Sequence, residues 1–256
     1  MKDNRDIARR QFGAHADEYV KSVDHAKGES LDRLLALTSP RPEWRVLDVA
    51  TGGGHTALAL SPHVREVVAT DLTPQMLEAA RGFLQSKGAR NVEFLEADAT
   101  ALPFSSSEFD LATCRIAPHH FPDVGEFVRE LFRVVRPRGL AVVIDNLVPE
   151  DRTAAEYINN FEKLRDPSHN WSYAEPDWIR FFQEAGFTGL HVEFFRKARD
   201  FDVWTGMMSV DEPTKEKLRA MLAEAPPRAR YALAPEEKDG ALRFYLDELL
   251  IRGTRP

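Results

Sequence analysis

Arg45–Val46–Leu47–Asp48–Val49–Ala50 runs directly into Thr51–Gly52–Gly53–Gly54, and Thr56–Ala57–Leu58–Ala59–Leu60 follows. No other stretch restricts the fold as tightly. A short, nearly continuous apolar run predicts a strand covered on both faces. Glycines let the chain turn sharply and let a ligand come close where a Cβ would clash. The next segment can open a helix, whose first N–H groups have no partner inside the helix. A strand, a glycine turn and a helix in this order place a nucleotide-like ligand outside the carboxyl end of the strand.

The glycine spacing leaves two kinds of ligand open. Gly52, Gly54 and Ala57 satisfy the spacing of a dinucleotide fingerprint, and Asp71 lies about where a ribose-binding acid belongs. This keeps an NAD(P)-dependent oxidoreductase as an alternative. The acids point elsewhere. Asp48 sits within the first strand, Asp71 ends a second and Asp98 follows a third. Three carboxylates at three strand ends suit a ligand with cationic and hydroxyl groups better than one with a pyrophosphate.

The remaining elements alternate. Glu66–Asp71, Asn91–Glu96, Phe109–Cys114 and Leu140–Asp145 read as buried strands. Pro74 suits the first position of a helix that Thr73 can cap, with Met76, Leu77 and Ala80 on its apolar face. Val124–Arg136 carries Phe127, Val128, Leu131, Phe132 and Val135 at helical spacing. Strand and helix in alternation require a mostly parallel sheet with right-handed crossovers. Before this core, residues 3–23 suggest broken helical turns, and 27–38 a helix with Leu31, Leu34, Leu35 and Leu37 inward. After it the rhythm fails. Ala154–Leu164 and Glu175–Ala185 read as helices, His191–Phe195 as a strand, Lys215–Leu222 as a short helix and Phe244–Arg252 as the last strand. The segment 146–173 leaves the fifth strand at its carboxyl end, so it is placed to act as a lid. Val203, Trp204, Met207 and Met208 suit core, a lid or a homodimer contact.

Composition removes some classes of function. The net charge of −7 argues against broad nucleic-acid binding. Cys114 is the one cysteine, which excludes an intrachain disulfide and a cysteine-rich zinc site. No apolar run reaches the length of a membrane span, and the polar Met1–Asp6 is no signal peptide, so a cytoplasmic location is expected.

The loop Arg115–Ile116–Ala117–Pro118–His119–His120–Phe121–Pro122–Asp123 ends the fourth strand. His119 or His120 is a candidate general base, since imidazole titrates near neutrality. Adjacent histidines lack metal-motif spacing, and no metal is expected. Arg115 suits either a ligand carboxylate or a surface acid.

These segments together resemble the class I S-adenosylmethionine-dependent methyltransferases of the ubiquinone/menaquinone-biosynthesis type (methyltransferase type 11). The resemblance lies in Val46–Gly54, Val67–Leu77, Glu96–Phe104, Phe109–Thr113 and Val134–Leu140, in matching order over roughly residues 12–145. Ala50 stands where many relatives carry the first glycine. The resemblance implies a Rossmann-like, doubly wound α/β sheet of seven mostly parallel strands with lid insertions, its last strand antiparallel at the sheet edge. It implies one methyltransferase domain over 1–256: an N-terminal helical cover at 1–40, a cofactor-binding core at 41–145, and a substrate-side lid with the C-terminal strands at 146–256. S-adenosylmethionine is the implied cofactor and S-adenosylhomocysteine its product. The implied contacts are Asp48, Ala50, Thr51, Gly52 and Gly54 under the methionine end, Asp71 on the ribose, Leu72 and Met76 beside the adenine, and Asp98 with Ala99 reading it. Arg115 and Tyr19 complete that set, and Phe12 resembles a cofactor-covering aromatic. The expected reaction is in-line methyl transfer to a small-molecule acceptor; a non-catalytic cofactor-binding protein acting through 150–240 is the alternative of another class.

Overall fold

The structure is a computed structural model describing residues 4–21 and 28–256, with side chains from 5–13 and 28–256. Tyr19 and its expected cofactor contact lie outside the described side chains.

Strands β1 (Arg45–Val49), β2 (Glu66–Asp71), β3 (Val92–Glu96), β4 (Phe109–Arg115) and β5 (Val135–Leu147) form the parallel part of one sheet. With β6 (Thr188–Asp200) and β8 (Ala241–Thr254) the order is β3-β2-β1-β4-β5-β8-β6. The chain winds outward from β1 through β2 to β3, then returns to the other side of β1 with β4. Ligands bind at such a switch point, where neighbouring strands send their connections to opposite faces. The nearly uninterrupted burial of β1 and β4 is the expected mark of central parallel strands.

Helices α1 (Asn4–Lys21), α2 (Glu29–Thr38), α3 (His55–Leu60), α4 (Pro74–Ser86) and α5 (Val124–Val134) accompany this half. The expected broken turns at the N-terminus are instead one helix of 18 residues. Phe127, Val128, Leu131 and Val134 form the buried face of α5, and Asp123 caps it by accepting the Glu126 N–H. Thr73 stands at the N-cap of α4 but makes no side-chain cap there; its own N–H donates to Asp71.

The second half departs further from the sequence reading. The terminal strand β8 is interior, not at the edge: it pairs antiparallel with β5 on one side and β6 on the other. Phe244, Leu249, Leu250 and Ile251 explain this, because all four are buried, whereas edge strand β6 leaves Phe194 53% exposed. An eighth strand, β7 (Glu236–Lys238), turns back onto β8 through Asp239–Gly240, both at positive φ. An Asp-Gly pair is a strong hairpin signal that was there to be read.

Helices α6 (Arg152–Arg165), α7 (Glu175–Ala185), α8 (Phe201–Gly206), α9 (Glu212–Ala223) and α10 (Pro227–Leu233) complete the chain. Ile158, Phe161, Trp204, Leu218, Leu222 and Phe244 join in a core of their own, with Phe161 stacked on Trp204 at 5.0 Å between ring centroids. Trp204 and Met208 are therefore core residues, while Val203 is exposed. No helix among the described residues is long and apolar enough to cross a membrane.

Candidate active site

The carboxyl ends of β1, β2, β3 and β4 open into a cleft of about 1010 Å³. Register builds its floor. Asp48 of β1 lies beside Thr113 of β4, so its Oδ1 accepts from Thr113 Oγ1 at 2.8 Å; its Oδ2 accepts from Thr51 Oγ1 at 2.6 Å. Burial pushes the Asp48 carboxyl up to about 6, against the pull of the two hydroxyls and the Arg115 charge. A cationic ligand group beside it would favour the ionised form.

Asp71 joins the glycine turn to α4. Its Oδ2 accepts the Gly52 N–H at 3.0 Å and its Oδ1 the Thr73 N–H at 2.9 Å. Burial raises this carboxyl, and those N–H groups oppose the rise. A carboxylate has about four acceptor positions, so these two bonds leave capacity for a diol. Asp98 is engaged differently. Its Oδ1 accepts from the N–H and hydroxyl of Thr100, each at 2.8 Å, and its Oδ2 meets Arg5 Nε of α1 at 2.6 Å. Arg9 reaches the same rim, donating to Glu96 at 3.0 Å and to the Leu72 carbonyl at 3.1 Å. Helix α1 thus lies across the mouth of the cleft.

Of the residues the sequence singled out, Asp48, Ala50, Thr51, Gly52, Asp71, Leu72, Met76, Asp98, Ala99, Arg115 and His120 line this cleft. Gly54 does not. A Cβ there would lie 2.5 Å from Leu84 Cδ1 and 3.2 Å from Ala80 Cβ, so this glycine serves the packing of α3 on α4. Arg115 is buried and donates to Thr56 Oγ1 at 3.1 Å; burial lowers its pKa. Two non-glycine residues at strand ends hold positive φ, Ala50 (51°) and Ile116 (54°). For a β-branched residue this is a strained conformation of a kind that collects at functional sites. Arg5, His55 and Phe121 also line the cleft, although nothing in their sequence context marks them.

His119 lies apart from the cleft. It lines a second cavity of about 640 Å³ that shares Phe12, Ile116 and His120 with the first. The three rings around it are held in fixed orientations. His119 Nδ1 is 2.6 Å from Asp145 Oδ1, His120 Nδ1 3.1 Å from the Ser168 carbonyl, and His169 Nε2 2.8 Å from Asn159 Oδ1. Burial lowers the His119 pKa, but the charge and hydrogen bond of Asp145 outweigh it and the net shift is upward. Burial first, then the neighbouring His119 charge, pushes His120 down to about 3 and His169 down to about 2. Phe12 of α1 meets His120 edge-on at 4.8 Å, close to the junction of the two cavities. Within the expected lid segment 146–173, residues 166–173 lie against the loop that carries His119. The N–H groups of Asn170 and Trp171 donate to the His119 carbonyl, which fixes the segment as a wall of the second cavity. Among the described residues no three His, Cys, Asp or Glu side chains converge to hold a metal ion.

The cleft suits S-adenosylmethionine. Three strand-end carboxylates line it, one of them buried and favoured by a nearby cation, and a glycine at positive φ opens the turn beside Met76. The same carboxylates would repel a pyrophosphate. Comparison with known proteins agrees. The family described as "Methyltransferase domain" matches residues 47–143. An uncharacterized methyltransferase of Bacillus subtilis (strain 168), YcgJ, is 33% identical over 246 residues, which is 95% of this chain and 97% of that one. Its crystal structure superimposes with a TM-score of 0.84 at 34% identity, covering 88% of this chain and 97% of the other. The demethylmenaquinone methyltransferase of Thermus thermophilus is 40% identical over 115 residues, 44% of this chain and 52% of its own. A geranyl diphosphate C-methyltransferase from Streptomyces coelicolor, solved with S-adenosyl-L-homocysteine, shares the fold. Its TM-score is 0.60 at 13% identity, covering 88% of this chain and 77% of that one.

Proposed function

This chain belongs to the class I S-adenosylmethionine-dependent methyltransferases, and from that premise we propose that it methylates a small-molecule acceptor held in the second cavity, with His119 as general base. The observation that carries this reading is the shared wall. Phe12, Ile116 and His120 border both cavities, so an acceptor in one faces a ligand in the other across a single layer of side chains.

When bound, S-adenosylmethionine supplies a methyl group on a positively charged sulfur. An acceptor lone pair can bond to that carbon as the carbon–sulfur bond breaks and its electron pair stays on sulfur. The chain's own residues have to align the partners, exclude water and receive a proton. Asp48 and Arg115 would hold the methionine end, Asp71 the ribose diol, and Leu72, Met76, Asp98 and Ala99 the adenine; all of them line the cleft. Helix α1 covers the mouth through Arg5 and Arg9.

His119 is preferred over His120 as base. The Asp145 carboxylate accepts a hydrogen bond from His119 Nδ1–H, which leaves Nε2 as an acceptor and stabilises the imidazolium that forms. His120, held near pKa 3, stays neutral throughout and serves as wall. A cytoplasmic location accompanies this reading.

Calorimetric titration of the purified protein with S-adenosylmethionine, S-adenosylhomocysteine and NADH tests the cofactor assignment. Micromolar binding of the first two and none of the third is expected. Binding of NADH alone would overturn it.

A further inference from the structure

The second cavity has a chemical bias beyond its position. Nearly every polar atom it offers near His119 accepts hydrogen bonds. His119 donates through Nδ1 to Asp145, so its Nε2 is left as an acceptor. His169 donates through Nε2 to Asn159 Oδ1, which leaves its Nδ1 as an acceptor. Asn146, only 7% exposed, donates through Nδ2 to Glu162 Oε1 at 2.9 Å. That bond fixes the amide orientation, and Asn146 Oδ1 is buried with no hydrogen-bond partner. Asp145 Oδ2 is likewise buried and unsatisfied. Leaving a buried acceptor unpaired is costly, so a ligand bringing a donor to Asn146 Oδ1 would recover that cost; Asp145 stands behind His119 and does not line the cavity.

Glu162, Asp166, Arg165 and Arg199 bring charges of both signs to the cavity, and the carboxylates dominate at His119. Asp145, Glu162 and Asp166 all act to hold a proton on His119, which marks a negative potential at that point of the cavity. The cations on the rim have partners of their own: Arg165 Nε donates to the Trp204 carbonyl at 3.1 Å, and Arg199 pairs with Glu248 at 3.8 Å.

A hydroxyl brings one donor and two acceptor lone pairs; an ammonium brings three donors and no acceptor. We propose that the methyl acceptor is a compact primary or secondary amine, entering as its ammonium with N–H groups directed at His119 Nε2 and Asn146 Oδ1. This rests on the reading of the second cavity as the acceptor site. The ammonium gives one proton to His119 Nε2. Its nitrogen, now carrying a lone pair, bonds to the methyl carbon as the carbon–sulfur bond breaks. The methylated product leaves as a cation, and His119 returns its proton to water.

The test uses the full chain with S-adenosylmethionine and two matched sets of small acceptors: primary and secondary amines, and alcohols and phenols of the same skeletons. Release of S-adenosylhomocysteine and product mass are measured. The amines are expected to show at least tenfold higher kcat/KM. Asn146→Leu is expected to raise the KM for the best amine at least tenfold while calorimetric affinity for S-adenosylhomocysteine stays within twofold. Methylation confined to alcohols or phenols would overturn the amine assignment and leave methyl transfer standing. Binding of S-adenosylmethionine with no amine turned over would also overturn it. Failure to bind S-adenosylmethionine would remove the reading of the cleft, and this inference with it.

Discussion

The two cavities that meet at His120 are built on different principles. The cofactor cleft is shaped largely by backbone: a glycine turn, two strand ends at positive φ, and carboxylates held by N–H groups and hydroxyls of the same and neighbouring strand ends. The second cavity is shaped by side chains from distant segments. Asn146 meets Glu162 across 16 residues, His119 meets Asp145 across 26, and His120 meets Ser168 across 48. The first arrangement can persist while the acceptor changes, because it is built from the ends of the sheet's own parallel strands. The second can be rebuilt by altering the insertions without disturbing the sheet. A methyltransferase needs this division, since one ligand is constant and the other differs from enzyme to enzyme.

Substitutions on either side should separate the two cavities. The largest expected effect is on the acceptor side. His119→Ala should lower kcat by about 10²–10⁴ and leave cofactor affinity within twofold, as measured by steady-state turnover and calorimetry. The wild-type profile sharpens this. A base whose pKa is raised above 6.5 loses its neutral form as pH falls through that raised value, so kcat should rise with pH to a plateau above it. A profile unchanged in His119→Ala would remove the base assignment. On the cofactor side, Gly54→Ala places a Cβ against Leu84 at φ +82°. It should cost about 2 kcal/mol of stability in denaturant unfolding, with affinity lost only as the fold is lost. Asp71→Ala should weaken S-adenosylmethionine binding at least tenfold with the fold intact; equal affinity would refute the ribose role. The smallest effect belongs to Arg5→Ala, which breaks a partly exposed ion pair. Cofactor affinity there should change by less than about threefold, and less still at high salt.

How much could be read beforehand follows the same division. Strands β1, β2 and β4 and helix α7 were legible because runs of buried apolar residues and a terminal glycine report local geometry directly; β3, expected to be buried, is an edge strand with half-buried to exposed side chains. Asp48, Asp71 and Asp98 were legible because they end such strands. Arg5 and Phe12 reach the cleft from a helix whose own pattern does not reveal where it docks. Gly54 was misassigned for the opposite reason: its spacing imitated a ligand-contacting glycine, while the neighbour that needs it small is Leu84, thirty residues further along the chain. The terminal strand β8 was expected at the edge on the family resemblance alone; that β6 pairs outside it is a contact no local pattern reports.

By itself, the sequence determined the strand–helix alternation of a parallel sheet and the acids at its strand ends, because hydrophobic period and turn chemistry act between near neighbours. Tertiary structure alone decided which histidine carries a carboxylate behind it, which amide keeps an unpaired oxygen, and that helix α1 closes over Asp98. Those outcomes depend on contacts between segments far apart in the chain. No local period encodes such contacts; they are set when the insertions pack against the sheet.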